Sequence, residues 1–155
     1  MQYVLAIDQG TTGTRAIIFD KQGLSISKTY YEHEQFFPKP GWVEHDPTEI
    51  WENTKKVVKE AVEKANVDFS QICSIGIANQ RETVVAWNKS TNEILYNAIV
   101  WQCRRTADTC NRLKEEGYSE VFKEKTGLVL DPYFSGTKIK WLLDNSPKVS
   151  QAFED

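Results

Sequence analysis

The order of elements in this sequence predicts an α/β domain with a mixed sheet. Short β-type runs come first, a helix with a clear start signal follows, and further strands and helices complete the chain. At 155 residues the chain is long enough for one domain, which would bury roughly 70% of the surface its unfolded form exposes.

The runs "YVLAI" (Tyr3 to Ile7), "AIIFD" (Ala16 to Asp20) and "LSISKTYY" (Leu24 to Tyr31) are separated by glycine-containing turns, the tighter being "DKQG" (Asp20 to Gly23). They read as an antiparallel three-strand meander. The segment "FPKPGWVEHDPTEIW" begins as a proline-rich loop and ends as a helix start. Asp46 takes the N-cap, Pro47 the first helical position and Glu49 the third, a capping-box arrangement. Ile50, Trp51, Thr54, Val58, Ala61, Val62 and Ala65 then fall near helical spacing, with lysines and glutamates mostly between them, so the helix runs to about Ala65. "ICSIGIA" (Ile72 to Ala78) reads as a buried strand, "NQRET" (Asn79 to Thr83) as a polar loop, and "VVAW" (Val84 to Trp87) as another strand before a turn over Asn88 to Asn92. Arg105 to Glu116 and Ser135 to Asn145 look helical, the first stopped by Gly117 and the second extended after Ser146-Pro147.

Composition excludes several function classes. A formal net charge of -3 gives no electrostatic reason to bind nucleic acid or an anionic membrane. No segment approaches the ~20 apolar residues of a membrane span, and no basic region or cleavage site precedes the first strand, so the expected compartment is the cytoplasm. Cys73, Cys103 and Cys110 fit no metal spacing, and with only His33 and His45 beside them a zinc site is not expected. The three thiols read as small buried apolar groups.

The stretch "AIDQGTTGTRAIIFD" (Ala6 to Asp20) carries more backbone freedom and more hydroxyls than chain reversal needs. Gly10 and Gly13 let backbone N–H groups converge, Thr11, Thr12 and Thr14 add hydroxyl donors, and Arg15 adds a charged one. Asp8 at the strand end can hold a hydrated Mg²⁺. This is not a P-loop, because the glycine-lysine-serine/threonine ending is missing, and it lacks the three spaced glycines of a dinucleotide fingerprint. From residue types alone the loop reads equally as a phosphate site and as a polar hairpin turn capped by Asp8.

Five blocks carry a resemblance. "DQGTTGTR" resembles the first phosphate motif of the actin, hexokinase and heat-shock chaperone superfamily. "PGWVEHDP" (Pro40 to Pro47) resembles a segment of the sugar and polyol kinases known by their FGGY signature, and "NQRET", "AIVWQCRRT" and "DPYFSGTK" resemble the glycerol kinases within that family. The blocks stand in one order between residues 5 and 138, so the resemblance covers essentially the whole chain. It implies a ribonuclease H-like, actin-like ATPase domain, with residues 1–155 as the N-terminal portion of the first of two kinase domains and the C-terminal domain absent.

The resemblance further implies ATP and Mg²⁺ as cofactors and transfer of the γ-phosphoryl group to glycerol. Gly10, Thr11, Thr12, Gly13 and Arg15 would line the nucleotide phosphates, with Thr11 also meeting the product phosphate and Asp8 holding Mg²⁺ through water. Gly13 stands where the family has a serine, with more effect expected on loop flexibility than on specificity. Arg81, Glu82 and Tyr133 would bind the hydroxyls, and Trp101 would pack on the carbon atoms. No general base is expected here: the family's aspartate lies in a later motif. The remainder of the kinase is thus an implied partner, and an apolar surface left uncovered without it carries a risk of self-association.

Each assignment has a plainer alternative. Arg81 and Glu82 also read as a solvated charge pair, Trp101 as core and Tyr133 as turn packing. Arg104 and Arg105 read as the exposed start of a helix, and Trp42, Trp51, Trp87 and Trp141 as packing residues. Two other functions stay open: a nucleotide-binding module without catalysis, and a regulatory fragment that binds polyol or protein.

Overall fold

The computed structural model describes residues 2–154. The chain falls into two compact units, Met1–Glu34 with Asp46–Gln80, and Gln35–His45 with Arg81–Asp155.

The first unit is a four-stranded mixed sheet beside one long helix. β1 (Tyr3–Gln9), β2 (Gly13–Phe19) and β3 (Ser25–Glu32) form the expected antiparallel meander, and β5 (Ile72–Ala78) runs parallel to β1, giving the order β3-β2-β1-β5. Parallel neighbours need a crossover connection, and α1 (Pro47–Ala65) lies within it. The β2–β3 turn is closed by the Asp20 carboxylate, which accepts from the Gln22 and Leu24 N–H groups at 2.9 Å each, with Gly23 at φ +78°. Pairing of β1 with β2 extends to Gln9 opposite Thr14, so β2 starts three residues before the expected Ala16.

Helix α1 occupies the expected span, and Asp46 caps it by accepting from the Thr48 N–H at 2.8 Å. The expected capping box does not form, because the Glu49 carboxylate accepts from the Glu34 N–H instead, at 3.0 Å. Val57, Ala61 and Val62 pack on Leu5, Ala16 and Ile18. Trp51, expected to pack, is 60% exposed, because it lies outside the apolar stripe that Val57 and Ala61 define. The buried-strand expectation for β5 is also corrected: Cys73 to Ala78 are exposed, Ile77 to 72%. β5 is the sheet's edge, paired with β1 alone, while α1 packs on β1, β2 and β3. Cys73 is therefore exposed too, whereas Cys103 and Cys110 are buried as expected.

The second unit holds a three-stranded antiparallel sheet, β4 (Glu44–His45), β6 (Val84–Trp87) and β7 (Ile94–Ile99), in the order β4-β7-β6. Four helices follow: α2 (Ala107–Glu115), α3 (Ser119–Thr126), α4 (Ser135–Asn145) and α5 (Pro147–Glu154). β4, β7 and α3 were not expected from the sequence. Asn92, at φ +59°, and the Asn88 side chain, which accepts from Ser90 and Thr91 N–H, make the β6–β7 turn. Ile99, Cys103, Leu142 and Val149 form the apolar core.

Beside that core lies a buried ion pair. Arg105, expected at an exposed helix start, precedes α2, and its fully buried side chain meets Glu44 at 2.6 Å. Its guanidinium lies 4.0 Å from the Trp42 ring and 4.6 Å from the Trp141 ring, so those two tryptophans do pack as expected. The Tyr96 hydroxyl and the Asn97 amide complete the carboxylate's partners. Burial first, and then the Glu44 charge, push the Tyr96 phenol upward. Trp87 is 54% exposed, against expectation, because it ends β6 at the turn. Among the described residues no helix is long and apolar enough to cross a membrane.

Ile18→Ala is expected to lower unfolding stability by about 2–5 kcal/mol, since it empties a site with no solvent access. An unchanged urea midpoint would exclude Ile18 from the core. Glu44→Ala leaves the Arg105 charge buried without its partner and should cost about 3–5 kcal/mol in the same measurement.

Candidate functional site

The phosphate-type loop belongs to the first unit. It is the hairpin tip Gly10 to Thr12, closed by the Gly10 N–H donating to the Gly13 carbonyl at 2.9 Å. His33, just past β3, ties down the outer side of this tip. Its Nε2 lies 2.9 Å from the Thr11 carbonyl oxygen, and its N–H donates to the Thr12 carbonyl at 3.3 Å. In trans peptides N–H and C=O point oppositely, so the Thr12 and Gly13 N–H groups face away from His33. Thr12 Oγ1 lies 3.3 Å from the Tyr30 hydroxyl.

Gly13 acts by close approach rather than by flexibility. A Cβ there would stand 2.4 Å from the Tyr31 carbonyl oxygen, so a side chain would require β3 to move. Asp8 and Arg15 are register partners across the hairpin, 3.8 Å apart and about half exposed. A pair this open to water contributes little to stability. The Arg15 guanidinium also lies over the Tyr30 ring, 5.4 Å from its centroid. Among the described residues, Thr14 Oγ1 and Arg15 Nε are buried without a hydrogen bond.

The donor set at Asp8 suits a hard, hydrated cation. One accessible carboxylate fits Mg²⁺, which keeps several waters and takes further ligands from phosphates. No cluster of three or more metal-ligating side chains occurs among the described residues, so a dedicated protein cage is not built here.

The alcohol-type residues lie in the second unit, and three of the four come together. Trp101 follows β7, its N–H donating to Thr83 Oγ1 at 3.2 Å, and its ring meets Tyr133 edge-on with centroids 5.7 Å apart. Phe134 backs Tyr133 at 5.1 Å. Asp131 accepts from the Tyr133 N–H at 2.8 Å and meets Arg104 at 3.4 Å. Glu82 sits at φ +66°, a conformation few residues other than glycine adopt. Its Oε2 accepts from the Ser135 N–H at 2.8 Å and from the Ser135 hydroxyl at 2.7 Å, at the start of α4. Arg81 is exposed and makes no ion pair with Glu82.

Two residues of this neighbourhood escaped sequence reasoning. Ser135 was read only as a helix start, and Lys138 only as part of that helix and of the block "DPYFSGTK". Lys138 is fully buried, donating from Nζ to the Glu82 carbonyl at 2.8 Å and to the Tyr133 carbonyl. Burial pushes its ammonium down to about 8, opposed chiefly by the Glu82 charge. The signal was present: Lys138 stands one turn before Leu142, on the buried stripe of α4.

Comparisons with known proteins address the whole span. A family profile described as "FGGY family of carbohydrate kinases, N-terminal domain" matches residues 3–154. A relative named "Glycerol kinase 2" from Thermotoga maritima is 58% identical over 154 residues, covering 99% of this chain and 31% of the relative. "Glycerol kinase 1" from Clostridium tetani is 60% identical over 144 residues, covering 93% of this chain and 29% of the relative. In structure, the Plasmodium falciparum glycerol kinase with ADP superposes with a TM-score of 0.91 at 36% identity, over all of this chain and 31% of that one. A ligand-bound xylulose kinase from Lactobacillus acidophilus shares the fold at a TM-score of 0.87 and 22% identity, over 97% of this chain and 30% of that one. The chain therefore spans about a third of the length of these relatives, and it belongs to the FGGY family of carbohydrate kinases, matching that family's N-terminal domain.

Proposed function

We propose that these residues are the N-terminal part of a glycerol kinase, which transfers the γ-phosphoryl group of ATP to a terminal hydroxyl of glycerol and yields sn-glycerol 3-phosphate. The observation that carries this reading is the gathering of Glu82, Trp101 and Tyr133 in one unit, in a chain 58% identical to a glycerol kinase. An acceptor, a hydroxyl and an aromatic edge suit a short polyol, which needs polar partners and one apolar wall. Arg81 supplies the charged donor. The reaction belongs to glycerol catabolism in the cytoplasm, where ATP and Mg²⁺ are at hand.

The reading divides the work between residues. Thr11 and Thr12, with the N–H groups around Gly10 and Gly13, bind the nucleotide phosphates, and Thr11 also receives the phosphate of the product. Arg15 adds positive charge beside them, and Asp8 holds Mg²⁺ through water. When bound, Mg²⁺ neutralises charge on the transferring group. Arg81, Glu82 and Tyr133 orient the alcohol by its hydroxyls, while the Trp101 ring covers its carbons and excludes water from that side. Orientation of this kind, with charge neutralisation, supplies most of the catalysis in phosphoryl transfer. The base that takes the hydroxyl proton is assigned to a later part of the kinase, together with the adenine pocket.

Glycerol-dependent ADP release with Mg²⁺ and ATP tests the reading. The 155-residue chain alone should be silent and the complete two-domain kinase active. Turnover by the chain alone would place the base within it, and a silent complete kinase that still bound ATP would favour a non-catalytic nucleotide module. Within the active kinase, Arg81→Ala removes a charge-assisted donor and should raise the KM for glycerol by about 10- to 100-fold, with the KM for ATP nearly unchanged. An unchanged glycerol KM would remove Arg81 from the site.

A further inference from the structure

The first turn of α4 reaches back to two different atoms of Glu82. Ser135 takes the carboxylate and Lys138 takes the backbone carbonyl. The same ammonium also holds the Tyr133 carbonyl. Two residues 51 positions apart are thus joined through one fully buried charge.

We propose that Lys138 is a positioning residue of the alcohol site, a buried clamp that fixes the Glu82 and Tyr133 main chains relative to one another and so sets where their side chains meet the polyol. The inference rests on the glycerol reading for its substrate. The need for a clamp is local. Left-handed backbone at a glutamate costs free energy, so Glu82 stays there only while its surroundings over-determine it. Its side chain alone is not sufficient, because a carboxylate can follow Ser135 through several backbone conformations. The carbonyl bond removes that freedom. Tyr133 is likewise held at both ends of its backbone, by Asp131 at the N–H and by Lys138 at the carbonyl.

The chemistry of the group fits the task. An ammonium has three donors and no acceptor, so it can bridge two carbonyl oxygens that would otherwise face each other unpaired. Placing it out of water carries a cost, visible in its depressed proton affinity, which Glu82 and Asp131 oppose by their charges. A leucine or methionine would fill the same stripe of α4 beside Leu142 without that cost, and would leave both carbonyls unpaired.

The test is steady-state kinetics on Lys138→Met in the complete kinase, with Lys140→Met as the control, since Lys140 is exposed and pairs with Asp144. Lys138→Met should raise the KM for glycerol about tenfold or more while the KM for ATP stays within about twofold. Lys140→Met should match the wild type. A crystal structure of the variant should show Glu82 out of the left-handed region, or the Trp101 and Tyr133 rings separated beyond their present contact. If Lys138→Met does not fold, Lys138→Gln, a shorter neutral donor, is read in the same two ways. An unchanged glycerol KM, or an equal loss for both substrates, overturns the proposal. So does a variant structure with Glu82 and Tyr133 unmoved. If the wild type itself fails to phosphorylate glycerol, the functional reading falls, and the crystal structure of the variant still decides whether the clamp exists.

Discussion

The seam where Val57, Ala61 and Val62 of α1 bury Leu5, Ala16 and Ile18 fixes which side chains the first unit turns away from its helix. Side chains alternate along a strand, so the choice of Leu5 and Ile18 for the α1 face sends Asp8 and Arg15 to the other face. A slip of one residue would exchange the two sets, placing a carboxylate and a guanidinium against α1. The hydrophobic register is thus also the register of the charged pair. It fixes the hairpin tip as well, because the last rung, Gln9 opposite Thr14, leaves only Gly10 to Thr12 for the turn, with the buried Gly13 pressed against β3. β5 then brings Ala78 beside Asp8, and Gln80 donates to the Gln9 side chain at 3.2 Å.

In the second unit, buried polar groups take the organising role. The Arg105 guanidinium joins Glu44 of β4 to Trp42 and Trp141 because a flat cation can present its edge to a carboxylate and its faces to rings. An apolar residue could fill that volume with equal stability, yet it could not also orient the Glu44 carboxylate that receives Asn97 and Tyr96 from β7. Lys138 joins two main-chain segments in the same manner. In both places a costly charge specifies one arrangement among several that simple burial would permit.

This division explains what could be read from the sequence. α1 was legible to the residue because Asp46 and Pro47 act locally, and α4 and β5 were legible from their apolar patterns and punctuation. β7 was not, since Asn97 interrupts "ILYNAI" and its amide donates to Glu44, 53 positions away. Arg105 looked like surface for the same reason: nothing near it in sequence reveals two tryptophans and a carboxylate. Exposure of β5 and Trp51 depends on which elements α1 reaches, a tertiary fact. At the candidate site the types and spacings of Glu82, Trp101 and Tyr133 were legible through resemblance, whereas the strain at Glu82 and its tie to Lys138 exist only once α4 is in place.

The alcohol residues are unequally prepared. Glu82 is held at its backbone and at Oε2, while its Oε1 makes no hydrogen bond among the described residues. Arg81 next to it is exposed. Ordering such a side chain on binding costs roughly 0.5–1.5 kcal/mol, a cost the fixed acceptor does not incur. On the glycerol reading, the acceptor would set the geometry of a bound alcohol and the guanidinium would follow it. On the same reading, discrimination would depend on the rigid partner: a ligand lacking a hydroxyl where Glu82 points would leave a partly buried carboxylate oxygen unpaired, a penalty no adjustment of Arg81 could relieve.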